Sequence, residues 1–184
     1  MKRIGILTED YDNDGKGYRY LLEKEFGEKA IFLPIIPTMH GKQLDFRKKM
    51  ARLIEIAFSQ HELDFILYIR DLDALPSDES AKRTLQNWFD FAEKTANGIS
   101  FMVIFESEAL ILADIETFCK IKKTKKIKLA NTPMYQGTPK EYLMGKYKYQ
   151  PNDLPKIFAQ LNFATIQKNH KGFAKFIDEL KTKI

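Results

Sequence analysis

Phe65-Ile-Leu-Tyr-Ile-Arg-Asp-Leu-Asp73 is the stretch on which the fold turns. The apolar run Phe65 to Ile69 reads as a buried strand, and it releases two carboxylates, Asp71 and Asp73, at its end. Side chains of a strand alternate between faces, so residues two apart project together beyond the sheet. Two like charges so placed repel each other. A hard divalent cation such as Mg²⁺ or Mn²⁺, which prefers carboxylate oxygens and water, offsets that repulsion. The competing reading of the same residues is a solvated turn at Asp71 with Asp73 capping the next helix.

Working outward, Arg3 to Leu7 reads as another buried strand, with Glu9 at its end. A helix follows from Gly15 to Phe26, its apolar side formed by Tyr18, Leu21, Leu22 and Phe26 and its end marked by Gly27. Ala30 to Ile36 is a strand closed by Pro37. The spacing of Phe46, Met50, Leu53, Ile54, Ala57 and Phe58 predicts a helix over about 43–59. Another begins near Ser77, carries Ala81, Leu85, Trp88, Phe89 and Ala92, and is expected to end at Gly98. Ile99 to Phe105 is a fourth strand, continuously apolar as in strands covered on both faces. Four alternations of strand and helix imply an α/β three-layer sandwich with a mainly parallel central sheet. Functional crevices in such sheets lie at the carboxyl ends of the strands. Three of these four strands end in acid: Glu9, Asp71 with Asp73, and Glu106. A merely solvated rim does not predict that coincidence, and it points to one shared acidic site.

The 184 residues, 44% hydrophobic, suffice for one sizeable core, so a single domain spanning 1–184 is expected. Its core would cover about 1–119, with a lysine-rich segment and a helical extension over about 120–184. Cys119 is the only cysteine, which excludes an intramolecular disulfide and a thiolate zinc cluster and suits the cytoplasm. His40, His61 and His170 show no ligand spacing. The apolar stretch from Ile99 to Ile115 is broken by Glu106 and Glu108, so no membrane span is expected. Met1-Lys-Arg leads directly into a strand rather than a long apolar run, so no secretory signal is expected either.

A net charge of +5 favours nucleic acid as partner only weakly. Its distribution says more. Lys120, Lys122, Lys123, Lys125, Lys126 and Lys128 form a run that reads either as an arm contacting backbone phosphate or as a solvated, charge-rich loop. Thr138-Pro139-Lys140-Glu141 has the hydroxyl, proline and glutamate of a capped helix start. Helical segments near Asp153 to Leu161 and Gly172 to Leu180 follow, the last with Phe173, Phe176, Ile177 and Leu180 on one side.

Several chemistries are excluded, and one, a receiver-type phosphoacceptor, is kept as a less favoured alternative. Asp10-Tyr-Asp12-Asn-Asp14-Gly15 matches the first half of a calcium loop, but Leu21 stands where its bidentate glutamate belongs. Asp12 to Gly15 reads instead as a turn capping the first helix. A receiver-type phosphoacceptor would also gather acids at strand ends, yet it would continue to a fifth strand bearing a lysine. Neither a phosphate loop nor a Rossmann glycine fingerprint is present. Cys119 lies in an apolar helical setting that suits packing better than nucleophilic chemistry.

A glutamate ending the first strand and an Asp-x-Asp ending the third resemble the TOPRIM catalytic fold of topoisomerases, primases and overcoming-lysogenization-defect (OLD) nucleases. Phe105-Glu-Ser-Glu108-Ala-Leu-Ile-Leu-Ala-Asp114 resembles the Glu-Ala-Trp-Leu-Leu-Ala-Asp signature of a small TOPRIM-like domain-of-unknown-function family. The tail is similar too, in Pro139-Lys140, Tyr142-Leu143, Tyr147-Lys148 and the spacing from Leu154 through Ile166 to Phe173 and Leu180. Asp10 departs from the glycine that usually follows the first glutamate, and Leu110 from the signature tryptophan. The resemblance implies that Asp71 and Asp73 hold Mg²⁺ or Mn²⁺ and that Glu9 is ligand or proton-transfer group. It further implies that Glu108, with Glu106, completes the cluster and that Lys148 is the basic catalytic residue. The implied activity is metal-dependent hydrolysis of a phosphodiester in DNA or RNA, in phage defence, alongside a separate ATPase subunit or as a homo-oligomer. The alternative is a non-catalytic TOPRIM-like module that acts through such a partner.

Overall fold

A computed structural model describes residues 1–125 and 138–184, so Lys126 and Lys128 lie outside the described residues. Strands β1 (Lys2–Leu7), β2 (Ala30–Pro34), β3 (Phe65–Asp71) and β4 (Gly98–Val103) form one parallel sheet in the order β2-β1-β3-β4. Buried runs such as Ile4–Leu7 and 65–70 leave no face of β1 or β3 open to water, so both faces must be covered.

The period of two divides those runs between two cores. Phe65, Leu67 and Ile69 join Ile4, Ile6, Ile99, Phe101 and Val103 on one face. That face is covered by α1 (Lys16–Phe26), α4 (Ala109–Ala113), α5 (Ile115–Ile121), α6 (Pro139–Tyr147), α7 (Leu154–Phe158), α8 (Phe163–Asn169) and α9 (Lys171–Lys183). Ile66, Tyr68 and Leu7 face the other way, against α2 (Arg47–Gln60) and α3 (Glu79–Thr95). The result is a three-layer α/β sandwich. Its C-terminal segment is part of one layer rather than an appendage, for Phe101 of β4 stacks on Phe176 of α9 at 4.8 Å. Cys119 is buried in this layer, as its apolar setting predicts.

Three local expectations are corrected. The helix expected from residue 43 is broken: Gly41–Asp45 forms a 3₁₀ turn, α2 starts at Arg47, and Phe46 between them is 66% exposed. The indole of Trp88 donates to the Leu44 carbonyl at 2.9 Å and holds the turn off the helical path, and Leu44 fills the core instead of Phe46. Gly98 does not end α3 but opens β4, where a Cβ would stand 2.3 Å from Cε2 of Tyr68. Thr138 precedes α6 as expected, yet its buried hydroxyl makes no hydrogen bond among the described residues.

Phe176→Ala removes a ring from one core while the only tryptophan, Trp88, lies in the other. The expected outcome is a loss of about 3–5 kcal/mol in urea unfolding, with Trp88 fluorescence and far-ultraviolet circular dichroism shifting together. A Trp88 transition left in place would make the C-terminal helices a separable unit.

Candidate active site

Strand order reverses between β1 and β3, since the chain passes from β1 to β2 on one side and returns to β3 on the other. Such a switch point opens a crevice at the carboxyl ends of the two strands. Glu9 stands two residues beyond β1, Asp71 ends β3, Asp73 follows it, and Glu106 and Glu108 lie between β4 and α4. All five line one cleft of about 440 Å³, together with Asp10, Asp14, His40 and Lys140. A second cleft on the α3 side shares Glu9, Asp71 and Asp73 and adds Lys42, Asp45, Arg70 and Trp88.

The strand period explains part of this arrangement. Arg70 falls on the parity of Ile66 and Tyr68, so its guanidinium reaches the α2–α3 side and lies 4.7 Å from the Trp88 ring centre. Asp71 falls on the opposite parity and accepts from the Ser107 hydroxyl at 3.3 Å. Asp73 arrives differently. β3 has ended, and Asp73 sits in the left-handed region at φ 50°, with its N–H donating to the Phe105 carbonyl at 3.3 Å. Asp73 and Asp71 therefore converge through a left-handed turn rather than through the pleat, a conformation Asp tolerates better than most residues. Phe105 itself is at φ 66°, a strained position for a buried aromatic that swings Glu106-Ser107-Glu108 toward the crevice.

Three of these carboxylates are held by donors from other elements. Arg70 Nε donates to Glu9 Oε1 at 2.7 Å, and its terminal nitrogen donates to Asp45 at 3.0 Å. The Tyr149 hydroxyl donates to Glu108 at 2.8 Å, and the backbone N–H of Lys140, in the first turn of α6, donates to Glu106 at 3.0 Å. Asp10 accepts from the N–H groups of Asp12 and Asn13, at 2.9 and 3.0 Å, and so caps the π-helical turn Tyr11–Gly15. That capping role accounts for an aspartate at this position.

Too few cations serve so many acids. Burial pushes Asp71 well above the usual carboxylate range, and the charges of Asp14, Glu9, Glu108 and Asp73 push it further. Burial, then Glu108, raises Asp14 to about 8 against the opposing hydrogen bond from Ser107. Glu9 is raised by burial although Arg70 pulls it down, and Glu106 is raised by burial although the Lys140 N–H opposes this. The donor set is hard oxygen, which suits Mg²⁺ or Mn²⁺. Among the described residues no three His, Cys, Asp or Glu side chains already converge as a metal site. Arg70, Tyr149 and the Lys140 N–H each engage one carboxylate, so an ion shared by these acids would require carboxylate side chains to rotate inward.

Of the other expected residues, Lys148 is exposed at the C-terminal cap of α6 and does not line the cleft; Lys140, at the other end of that helix, does. Lys122 pairs with Asp153 at 2.7 Å, while Lys120, Lys123 and Lys125 are exposed, and none of these four lines either cleft. Asp114, last residue of the signature-like run, caps α5 and accepts from the Asn162 N–H at 2.6 Å, a structural task. Asp14, Arg70, Ser107, Lys140 and Tyr149 were not foreseen. Arg70 had a local signal, a cation inside a buried strand; Tyr149 had none.

No family model, curated protein or solved structure matches the chain.

The raised carboxylates set a pH dependence. A carboxyl whose folded pKa lies above its unfolded value favours the fold while protonated and loses that contribution as pH rises through the folded value. For Asp14 the window runs from the ordinary carboxylate range up to about 8. In metal-free protein, Asp14→Asn is expected to raise the melting temperature near pH 8 and to change it little near pH 5. Equal effects at both pH values, read by thermal melts in EDTA, would contradict the placement of Asp14 in the cluster.

Proposed function

We propose that this chain is a cytoplasmic TOPRIM-type nuclease that hydrolyses phosphodiester bonds in DNA or RNA with Mg²⁺ or Mn²⁺. We place it as an effector in phage defence, controlled through contact with a separate ATPase subunit. The observation that carries the reading is the gathering of Glu9, Asp14, Asp71, Asp73, Glu106 and Glu108 into one crevice at the sheet's switch point. Clustered acids ionise against one another's charge, and a divalent cation offsets that cost by taking the place of their protons.

Such ions, if bound, would lower the pKa of an attacking water and stabilise the leaving oxygen. The rest falls to the chain. Asp71 and Asp73 supply ligand oxygens, and Glu106 and Glu108 complete the set once released from their donors. Arg70 engages Oε1 of Glu9, so Oε2 is the oxygen left to act as ligand or proton acceptor. Lys140, within the cleft, supplies a positive charge that would meet phosphate, whereas Lys148, expected as the basic catalytic residue, lies outside the cleft.

The test is cleavage of labelled DNA and RNA by purified full-length chain in Mn²⁺. Asp71→Asn is expected to keep the fold by circular dichroism and to lower the rate at least about 100-fold, since it removes a charge on which metal binding depends. Cleavage that persists in EDTA or in Asp71→Asn would exclude this site as the catalyst. Metal-induced stabilisation without cleavage would favour the non-catalytic module.

A further inference from the structure

Phe46 is the side chain that the fold leaves unexplained. It is 66% exposed, yet its backbone is fully engaged: its N–H donates to the Gln43 carbonyl at 3.2 Å and its carbonyl accepts from the Met50 N–H at 2.9 Å. The turn before it is anchored on both sides, by the Trp88 indole on the Leu44 carbonyl and by Arg70 on the Asp45 carboxylate. Phe46 is therefore an aromatic ring on a fixed base, with its core place already taken by Leu44. Holding an apolar ring in water forgoes the favourable free energy of burying it, unless a partner covers it.

Its neighbours indicate that partner's charge. Lys42, Arg47, Lys48, Lys49 and Arg52 are all exposed, and among the described residues none forms an ion pair. Asp45, the only acid between residues 41 and 52, is already paired with Arg70. Five exposed cations without an ion pair, close in sequence to one protruding ring and with Arg47 also lying 5.4 Å from the Phe91 ring centre, match a polyanion that also presents flat π-faces, and single-stranded nucleic acid is such a ligand. Duplex does not fit as well, because its bases are stacked on each other and closed to a side chain. The patch also adjoins the acidic crevice: Lys42 and Asp45 line the cleft that contains Glu9, Asp71 and Asp73.

We propose that Phe46 is a stacking platform for an unpaired base and that Lys42, Arg47, Lys48, Lys49 and Arg52 hold the phosphates on either side of it. The strand then runs from the 41–52 edge into the crevice. This deepens the nuclease reading by naming its substrate class as single-stranded nucleic acid, and the delivery of the strand to a reacting centre rests on that reading. The binding itself does not.

Fluorescence anisotropy of full-length protein in EDTA, where no cleavage occurs, measures binding directly. The probes are a labelled single strand of about 12 nucleotides and the corresponding duplex. Phe46→Ala is expected to weaken single-strand binding about tenfold and duplex binding less than about twofold, without altering the dependence on salt. Phe46→Trp is expected to restore the affinity. Lys48→Gln with Lys49→Gln is expected to weaken both probes and to flatten the single-strand salt slope by about 0.7 per lysine. Because Phe46 is exposed, unchanged circular dichroism and melting serve as the folding control. Indifference of single-strand affinity to Phe46→Ala overturns the proposal. So does a dimer in sedimentation that Phe46→Ala disperses, or retention on phosphatidylserine vesicles that needs Phe46 while oligonucleotide binding does not. Phe46-dependent binding with no cleavage in Mn²⁺ refutes the nuclease reading alone; cleavage indifferent to Phe46 refutes the platform alone.

Discussion

The ion pair between Arg70 and Glu9, at 2.7 Å, is the contact on which the carboxyl edge of this sheet depends. A parallel sheet that gathers acids from three strand ends concentrates negative charge where water is partly excluded. Arg70, with its side chain largely buried, supplies the cation next to the switch point, backed by Asp45 and the face of Trp88. Breaking a buried pair by removing one partner typically costs about 3–5 kcal/mol, because the remaining charge is stranded. The same arginine ties together β1, β3, the Gly41–Asp45 turn and α3. Glu9 is thus oriented from the α2–α3 side of the sheet.

One cation is not enough for the whole cluster. Asp71, on the opposite parity, and Asp14, in the π-helical turn, form no ion pair with it, and both are pushed toward the protonated state. A divalent ion that bound here would have to displace protons from Asp71 and Asp14. A phosphodiester approaching such a cluster meets repulsion unless cations intervene. On the proposed reading, the basic edge at 42–52 and Lys140 would supply positive charge on the approach, dividing capture of a polyanion from its contact with the acidic groups between adjacent surfaces.

The sheet was legible because each strand is a short apolar run covered on both faces, and the acids at its ends stand out against that pattern. Glu9, Asp71, Asp73 and Glu106 were readable for the same reason, whereas Glu108 came only with the family resemblance. Local pattern failed where a distant group decides the outcome. Nothing in residues 41–50 reveals that Trp88 will hold the Leu44 carbonyl and turn Phe46 outward, since either residue satisfies an apolar stripe. Asp14 reads as a helix-start acid, but Asp10 takes the cap and the π-helical turn carries Asp14 into the crevice. Lys140 and Tyr149 reach the site from over 30 residues away from the acids they serve. Such contacts leave no spacing to read.

The account's central claim is that this crevice is a divalent-metal centre, and a crystal structure of the protein grown with Mn²⁺ tests it most directly. The expected result is anomalous density for one or two ions with ligands from Asp71, Asp73 and Glu9, and with Glu108 turned away from Tyr149. Well-ordered crystals at millimolar Mn²⁺ with no ion among these carboxylates, and the Tyr149–Glu108 and Arg70–Glu9 contacts unchanged, would contradict it.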